Sequence, residues 1–435
     1  NSISVVSLGD QNSYFVVLSK SKDTFFAVSA LDTESSAEVY NSTSIIDSYQ
    51  VIHSEKIHRS SYVRESKDCM NSDFIFDCRR VEFCFGATNK RNAKYLWFNE
   101  QLTKEEWEKR RAEVDLGKRS VAQEYLAQFD TLVNNAIWPE NFSVGSDGSV
   151  GEYLTKATNC KYTYFADNGA KNEYWTSFSL GQAEDNAYTG TPANSRECYW
   201  SADVSSCFRV NYSYLVSRSQ NCEYSLDCYD SENLFGCVGL QKKKFCILNK
   251  QYTEEEYWKK LDEIKCAMLE GGEYGQFLPS KVSPAWFPES GAFKYHLADR
   301  TFGEKIGAHL FDPESEDAIG EKVDESQIAS DSQIPDCIDD LDEWIGKPIY
   351  DSQYERRFSF FGPEVALYKK LRIAPPTSHH VKRLLDTIHT SQVGVFENTE
   401  CASCEKEIII STNPAYPTRT VYCTTCYTNH IEKNG

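Results

Sequence analysis

Small and β-branched residues recur at every third position of this chain, and this spacing limits the fold more than any other feature of the sequence. Every third residue from Ser36 to Cys84 is serine, cysteine, valine or isoleucine, and none is charged. A second stretch with the same spacing runs from Cys198 to Cys246, with an interruption at Lys243. We therefore expect a repeat protein whose repeating unit is short.

Neither an α-helix nor a flat strand explains a period of three. An α-helix has 3.6 residues per turn, so a stripe at steps of three drifts about 60° per step and winds around the helix. In a flat strand, residues three apart face opposite sides. The backbone must bend between inward positions, which predicts a β-solenoid with stacked coils about 4.8 Å apart. Two-sided coils of twelve residues and three-sided coils of eighteen fit equally well, and handedness stays open.

Charge and cysteine content narrow the class of protein. The chain has 435 residues and a net charge of −19, which disfavours broad binding to nucleic acid or to an anionic membrane. Most of its 16 cysteines follow the inward positions, where a thiol acts as a compact apolar filler. We expect reduced packing thiols in preference to a disulfide ladder. This predicts a reducing intracellular compartment, the cytoplasm, or a virion.

The two repeat stretches end in the same way. Residues 83–114 resemble residues 236–264, apart from three extra residues in the first copy, which indicates an internal duplication. In each copy a threonine is followed three positions later by a glutamate, the capping-box signal for the start of a helix. The pairs are Thr103 with Glu106 and Thr253 with Glu256. We expect each helix to cover the last coil of its solenoid.

The predicted fold class is mainly β: two β-solenoid blocks with capping helices, followed by a C-terminal α+β zinc-ribbon domain. The predicted segments are a first solenoid block (1–101), a helical hairpin insertion (102–140), irregular β structure and the second solenoid block (141–250), a capping helix (251–268), a turn-rich and acidic linker (269–350), and a helical segment with the zinc ribbon (351–435). In the last segment, Pro363 and Pro376 mark expected helix starts.

Four cysteines near the C-terminus form the strongest chemical signal in the chain. Cys401 and Cys404 are separated by eighteen intervening residues from Cys423 and Cys426, and the two pairs can surround one Zn²⁺ ion tetrahedrally. Four sulfur ligands indicate a closed structural site, because hydrolytic zinc needs an open position. Redox dithiols or another metal are the alternatives. We expect the intervening residues to form a hairpin of two strands, as in a zinc ribbon or treble clef.

Other polar groups give weaker signals. On the expected hairpin, Lys406, Arg419 and Tyr422 stand against two glutamates, which is not a convincing phosphate-binding face. The pair His379 and His380 is expected to be a polar helix start. The basic groups at 90–94 and 242–244 are expected in solvated turns. No catalytic residue and no cofactor-binding residue other than the zinc ligands is predicted.

Several motifs together resemble a known group of proteins. They are the cysteine- and serine-rich short repeats, the segment FGCVGLQKKKFCILNKQYTEEEYWKKL, the segment LEGGEYGQFLPSKVSP and the terminal CxxC pairs. The chain is similar to uncharacterised cysteine-rich repeat proteins of candidate-phylum bacteria and large DNA viruses or phages, mainly over residues 198–435. Residues 374–380 depart from the Pro-Arg-x-Cys-Pro-like run of that family. The resemblance implies an architecture and carries no established activity.

The leading functional hypothesis is a non-enzymatic structural or assembly protein, which contacts other proteins of a large complex such as a viral particle. Long solenoids offer extended surfaces, and aromatic side chains make favourable protein contacts. One alternative is a nucleic-acid-associated factor that uses the zinc ribbon. Another is a glycan-acting enzyme on a β-helix scaffold, which requires paired carboxylates on one wall. No membrane partner is expected.

Overall fold

The computed structural model describes residues 2–283, 285–311 and 325–435, and it is mainly β, as predicted. Part of the predicted acidic linker, residues 312–324, lies outside the described residues. Within the part of the chain that the structure describes, no helix is long and apolar enough to cross a membrane.

Most strands belong to two groups of parallel strands, which we call the first array and the second array. The strands of the first array are β1 (Ile3–Ser7), β2 (Tyr14–Lys22), β3 (Phe25–Glu34), β4 (Ala37–Ile46), β5 (Tyr49–Ile52), β6 (Glu55–His58), β7 (Ser61–Arg64), β8 (Lys67–Met70), β9 (Asp73–Phe76), β10 (Phe85–Thr88), β11 (Leu96–Trp97) and β12 (Glu100–Gln101). After strand β13 (Ile137–Pro139), the strands of the second array are β14 (Val150–Leu154), β15 (Lys161–Ala166), β16 (Ser177–Ser179), β17 (Gly190–Ala193), β18 (Ala202–Ser205), β19 (Phe208–Asn211), β20 (Tyr214–Ser217), β21 (Gln220–Glu223), β22 (Leu226–Tyr229), β23 (Glu232–Phe235), β24 (Lys244–Ile247) and β25 (Lys250–Gln251).

Helices and short strands make up the rest of the described chain. The helices are α1 (Lys104–Ala112), α2 (Arg119–Asn134), α3 (Glu254–Glu270), α4 (Gly291–Tyr295), α5 (Arg300–Lys305), α6 (Gly362–Leu371), α7 (His380–His389) and α8 (Thr424–Asn434). The remaining strands are β26 (Ala329–Ser330), β27 (Ile349–Asp351), β28 (Arg356–Phe358), β29 (Phe396–Glu400), β30 (Glu407–Ser411) and β31 (Thr420–Tyr422). Pro363 lies in the first turn of α6, and α7 begins four residues after Pro376, so both helices start near the predicted positions.

Within each array, short strands pair in parallel with strands twelve residues away. Strands β5, β7, β9 and β10 form one ladder, with Val51 opposite Val63, while β6 pairs with β8 in another, with Ile57 opposite Cys69. In the second array, β18, β20 and β22 form one ladder and β19, β21, β23 and β24 form the other. Consecutive strands along the chain therefore alternate between two ladders.

The backbone bends at every third residue. In the first array the residues just before the inward positions have a positive φ near 50°, as at Gln50, His53 and Lys56. Such a left-handed conformation costs a residue other than glycine about 1 kcal/mol or more, and asparagine and aspartate tolerate it best. Regular hydrogen bonds accompany these bends: the amide of His53 donates to the carbonyl of Tyr40 at 3.1 Å. The bend brings residues three apart to the same side.

Serine occupies inward positions for a reason that spacing alone did not reveal. The hydroxyl of Ser54 donates to the carbonyl oxygen of Ile52 at 2.8 Å and accepts the amide of Ser66 at 3.0 Å. Ser201 and Ser213 repeat the second contact in the other array at 3.2 Å. The sequence predicts serine there because space is scarce; the structure adds that each hydroxyl satisfies a buried backbone amide.

The interior between the serine positions is apolar. Val51, Ile57 and Val63 are fully buried in the first array, and Val204 and Val216 are fully buried in the second. Cysteines occupy the same interior, including Cys78 and Cys84 in the first array and Cys222 and Cys228 in the second. Burial raises the pKa of the Cys84 thiol to about 11, so this thiol stays protonated near neutral pH.

Both predicted capping boxes are confirmed. Thr103 and Thr253 each accept a hydrogen bond from the amide three residues later, and the corresponding glutamate carboxylates accept the threonine amides. Trp107 of α1 is buried and donates its indole N–H to the carbonyl of Leu96 at 3.2 Å. Tyr257 of α3 is buried against the last strands of the second array.

The structure corrects the alignment of the duplicated ends. Two glycines lie at equivalent places: a Cβ on Gly86 would meet the ring of Phe98 at 2.8 Å, and one on Gly236 would meet Leu248 at 2.9 Å. Each of these partners precedes an asparagine with positive φ in the turn of the terminal antiparallel pair. The two copies therefore align with a constant offset, and the three extra residues inferred from the sequence are wrong.

Parallel pairing in the second array begins earlier than the sequence indicates. We expected irregular β structure before residue 198, but Val144 already pairs with Thr155. The offset between partners is not constant there, because Thr158 pairs with Lys171, thirteen residues later, whereas Arg196 pairs with Phe208, twelve residues later. The varying repeat length blurs the period in the sequence, although the backbone pairing continues.

The helical residues between the arrays pack against the first array. Phe129 and Val133 of α2 are fully buried, and Phe129 contacts the ring of Phe74 at 5.8 Å. Trp138 then packs on Phe76, with ring centroids 4.3 Å apart. Through these contacts, α2 and the outer surface of the first array share one hydrophobic core.

The predicted acidic linker differs from the structure in its second half. Ile334, Ile338, Leu341 and Ile349 are 0–2% exposed and belong to the same core as α2. The sequence predicts a linker here, whereas these residues pack in the core. These buried residues are spaced among many acids, so the composition of the segment does not reveal that it contributes to a core.

Candidate functional site

The four C-terminal cysteines lie together in the structure. One ligand atom from each of Cys401, Cys404, Cys423 and Cys426 is within 4.8 Å of the others. The first pair lies in the turn between β29 and β30, and the second pair lies at the beginning of α8. The turn depends on Glu405, whose φ of 61° lets the chain reverse around the first pair. The cluster is close enough to hold one metal ion.

Backbone amides support negative charge in this cluster. The amide of Cys423 donates to the Sγ atom of Cys401 at 3.2 Å. Although burial opposes ionisation, hydrogen bonds from the amides of Cys423, Ser403 and Cys404 lower the pKa of Cys401 to about 6. The Sγ atoms of Cys404 and Cys423 are 3.8 Å apart. Four Sγ atoms this close together could coordinate one metal ion.

The expected hairpin between the cysteine pairs is wrong. Strand β30 pairs antiparallel with β29, which precedes the first cysteine pair, and β31 pairs in parallel with β13. Between them, the side chain of Asn413 accepts the amides of Ala415 and Tyr416 and turns the chain. Tyr416 is buried, contacts the ring of Trp138 at 5.6 Å and donates its hydroxyl to Asp130 at 2.6 Å. These contacts direct the second strand towards the first array.

Residues 396–434, which we call the C-terminal metal module, are attached to the first array through buried polar contacts. The hydroxyl of Tyr427 donates to the carboxylate of Asp77, which is 1% exposed. Arg91 donates to the same carboxylate at 3.1 Å and to the hydroxyl of Tyr427 at 3.2 Å. Lys90 donates to the carbonyl of Asn434 at 2.6 Å. Arg91 therefore lies in an internal contact, which corrects its assignment to a solvated turn, whereas Lys94 is exposed as predicted.

The basic side chains expected on the hairpin do not form a common face. Arg419 is 9% exposed, donates to the carbonyl of Ser411, and lies over the ring of Trp138 at 5.6 Å. Lys406 is exposed on the turn of the first cysteine pair. Arg419 therefore does not join Lys406 on an exposed face.

The histidine pair lies at a helix start, as expected, but it is not polar surface. His379 is 5% exposed and its Nδ1 atom accepts the amide of Val381 at 3.2 Å, capping α7. His380 stacks on Phe26 with ring centroids 5.0 Å apart. Burial lowers the pKa of His379 to about 4, so both its contacts and its charge state are those of a packing residue.

A groove of about 680 Å³ runs between the two arrays and has buried acids beside it. Glu65 lines the groove, is 5% exposed and accepts the hydroxyl of Tyr153 at 2.7 Å. Burial raises the pKa of Glu65 well above its ordinary value and that of the neighbouring Glu152 to about 8. His53 stacks on Tyr153 at 3.8 Å. Sequence reasoning missed this cluster, because its members are far apart in the chain.

Sequence reasoning also missed a run of aromatic rings on the outside of the second array, which we call the aromatic strip. Its members are Tyr162, Tyr174, Trp175, Tyr188, Tyr199, Trp200, Tyr212 and Tyr224. The central rings are 38–44% exposed. A signal was available in the sequence: an aromatic residue recurs every twelve or thirteen positions, but it becomes visible only once the repeat length is known.

Comparison with known proteins gives little similarity. No protein-family model and no curated protein matches the chain. Among solved structures, the chain matches a provisionally assigned acetyltransferase from Desulfovibrio desulfuricans G20 at 6% identity and a TM-score of 0.11. The match covers 53% of this chain and 63% of that one, so the chain spans less than two thirds of that structure.

Proposed function

We propose that this protein is a non-enzymatic assembly component that contacts other proteins of a large complex. The aromatic strip is the observation that carries this proposal. Contiguous exposed apolar surface is uncommon on soluble proteins and marks interaction sites, and tyrosine and tryptophan are enriched in protein interfaces. Trp175, Tyr188 and Trp200 are each about 40% exposed in one connected run.

We infer that each array is a β-solenoid of two-sided coils, which have twelve residues over most of their length and eleven or thirteen in places. Support comes from the partner offset of twelve, from the alternation of consecutive strands between two ladders, and from the bend at every third residue. A stack of such coils grows by about 4.8 Å per repeat and holds surface groups in fixed columns. This regularity suits a scaffold, because equivalent side chains are presented at a constant spacing.

We infer that the four cysteines hold one structural Zn²⁺ ion. Four thiolates fill a tetrahedral coordination sphere and leave no position for a substrate. The second pair lies in the first turn of α8, where the helix dipole favours negative charge. This arrangement fits the treble clef alternative better than a zinc ribbon, because the strands flanking the second pair do not form the ribbon's hairpin.

In this function the C-terminal metal module stabilises the packing of the end of the chain against the first array. Its core residues Ile408, Ile410 and Tyr416 belong to the same apolar cluster as Phe76 of the first array. The expected setting is a reducing compartment or a virion, in keeping with the many buried thiols and with the family that the sequence resembles.

The proposal is tested by the mass of the native complex. Tagged full-length protein is isolated under reducing conditions, and the complex is measured by size-exclusion chromatography with light scattering and metal analysis. We expect a homogeneous particle with many copies of the chain and one zinc per copy. A free monomer that turns over a substrate contradicts the proposal.

A glycan-acting enzyme is the second candidate, and Glu65 and Glu152 are the observation in its favour. Glycosidases use two carboxyl groups, and raised pKa values cluster at active sites. Here, however, Glu152 is fully buried, and Glu65, although it lines the groove, is only 5% exposed and already accepts the hydroxyl of Tyr153. Hydrolysis of a glycan by the intact chain, lost in Glu65→Gln, would favour this candidate.

A further inference from the structure

The groove between the two arrays, which we call the inter-array groove, follows the stacking direction of the first array. Equivalent positions of five successive repeats line one of its walls, and each has a positive φ: Leu18, Ser29, Asn41, His53 and Glu65. Four spacings of about 4.8 Å make this wall about 19 Å long. The walls touch at one end, where Tyr153 stacks on His53 at 3.8 Å. The groove is therefore long and narrow.

Most of the surface of the inter-array groove is apolar. On the first array, Leu8, Val17 and Leu31 line it and are 54%, 38% and 39% exposed. The facing residues of the second array include Phe165 and Phe178, whose ring centroids are 5.7 Å apart. Contiguous exposed apolar surface is uncommon on soluble proteins, and a concave apolar surface with a few polar groups is typical of a small-molecule site.

The charged side chains that line the groove already have partners. Lys67 pairs with Glu55 at 2.6 Å, and Asp167 accepts a backbone amide at 2.7 Å. Arg79 pairs with Asp77 at 3.4 Å and donates to a backbone carbonyl at 3.0 Å. The two basic groups are thus balanced by neighbouring acids. This balance favours an uncharged ligand, since neither a phosphate nor an ammonium group finds an excess of opposite charge.

The backbone beside the groove is also engaged. The amide of His53 donates to the carbonyl of Tyr40 at 3.1 Å, and the amide of Asp167 donates to the carbonyl of Ser179 at 3.0 Å. A peptide lying along the groove would cross these strands, so its amides would face side chains in place of free carbonyls. Sugar hydroxyls meet the same difficulty, and polar groups buried without partners are costly. A hydrocarbon chain brings no such groups.

We propose that the inter-array groove binds the hydrocarbon chain of a free, uncharged single-chain amphiphile, such as a monoacylglycerol. A bilayer core made of two opposed chains is about 30 Å thick, so one long chain of about 15 Å fits within the groove. The head group lies beside Lys67 and Glu55, whose side chains are 44% and 36% exposed to water. This inference goes beyond the proposed assembly role and does not involve the aromatic strip.

The probe is radiolabelled 1-monopalmitoylglycerol, kept below its aggregation concentration and measured by equilibrium dialysis against the zinc-loaded full chain. We expect saturation at about one molecule per chain. Each buried methylene group strengthens binding about fourfold. The octanoyl ester, which is eight methylenes shorter, should therefore bind at least a hundredfold more weakly. Palmitate carries the same chain on a charged head and should bind no more tightly than the glycerol ester.

Two substitutions in the groove should weaken binding in different ways. Leu31→Gln places a polar amide against the chain and should weaken binding at least fivefold, whereas Thr43→Trp fills the groove and should abolish binding. The matched control is Leu215→Gln. Leu215 lies on β20 outside the groove and is 38% exposed, against 39% for Leu31 on β3. This control should bind as the parent does, and circular dichroism verifies that each variant is folded.

Several results would overturn the inference. They are binding that does not saturate, an affinity that does not depend on chain length, tighter binding of palmitate, and equal effects of Leu31→Gln and Leu215→Gln. Displacement of the probe by cellohexaose or by an apolar peptide would also contradict it, as would retention of the protein on phosphatidylcholine vesicles. The mass of the native complex tests the assembly role separately, so a many-copy particle that binds no monoacylglycerol refutes this inference alone.

Discussion

The backbone amide of Ser66 donates to the hydroxyl oxygen of Ser54, twelve residues earlier, at 3.0 Å. The same hydroxyl donates to the carbonyl of Ile52, so one side chain satisfies two buried backbone groups. Ser48 and Ser60 repeat the contact on the opposite side of the array at 3.3 Å. The alternation of serine with valine and isoleucine thus has two physical causes. The serine hydroxyls satisfy buried backbone groups, and the valine and isoleucine side chains fill the interior.

Replacing one of these serines should expose the cost of an unsatisfied amide. Ser54→Ala leaves the buried Ser66 amide without its acceptor, and we expect a loss of about 1–3 kcal/mol. Urea unfolding measures the free energy, and hydrogen exchange at Ser66 should accelerate. Ser206→Ala, at an exposed position, should change stability by less than about 0.5 kcal/mol. Equal effects of the two substitutions contradict the role given to Ser54.

Substitution of alanine for glycine near the ends of the two arrays should lower stability by different amounts at different glycines. Gly86→Ala introduces a Cβ 2.8 Å from the ring of Phe98 at a φ of 70°, so it combines a clash with backbone strain. Gly239→Ala has a similar φ of 68° and nothing within 4 Å, so it should cost only the backbone term of about 1–2 kcal/mol. We expect a clearly lower Tm for Gly86→Ala, partly restored by adding Phe98→Ala. Similar Tm values would show that the close approach is unimportant.

Removal of the metal should loosen the C-terminal metal module. A ligand that binds only the folded state contributes about 4 kcal/mol when its free concentration is about 1,000 times Kd. We expect a chelator to lower Tm and to speed hydrogen exchange in α8 and at Tyr427. Cys426→Ser should release the metal, whereas Cys266→Ser, at an exposed cysteine outside the cluster, should retain one equivalent. Full protection of α8 in the metal-free protein argues against a structural site.

Stability should fall as pH rises towards 8. Burial raises the pKa of Glu152 from the ordinary value of 4.5 to about 8, so between these values the folded chain holds a proton that the unfolded chain has lost. Each pH unit in this window costs up to about 1.4 kcal/mol, and the contribution is fully present only below about pH 4.5. Glu152→Gln should flatten the decline measured by urea unfolding at pH 5–8. An unchanged slope would mean that Glu152 ionises freely.

The period of three carried most of the information about the interior. Residues at these positions, such as Val51, Ile57 and Cys78, are buried as expected. Their identity as small or apolar residues was enough to predict this burial. Both capping boxes were also predictable, since the contact joins residues three positions apart. The partner offset was not predictable, because coils of twelve and eighteen place the same residue types inward.

The cluster of four cysteines was predictable and its surroundings were not. The spacing of Cys401 and Cys404 identifies a ligand pair locally, whereas β31 finds its partner in β13, far earlier in the chain. Asp77 and Tyr427 likewise become neighbours only after the metal module packs on the first array. Contacts of this kind depend on tertiary packing, which neither the local spacing of residues nor the composition of the chain predicts.

The column of inward serines gives the most direct test of the whole account. An experimental density map of the full chain, by crystallography or electron microscopy, would locate Ser48, Ser60 and Ser72. We predict that they stack on one side of a closed interior, about 4.8 Å apart, each hydroxyl beneath the next amide. A map in which residues eighteen apart stack, or in which these serines face solvent on separate surfaces, contradicts it.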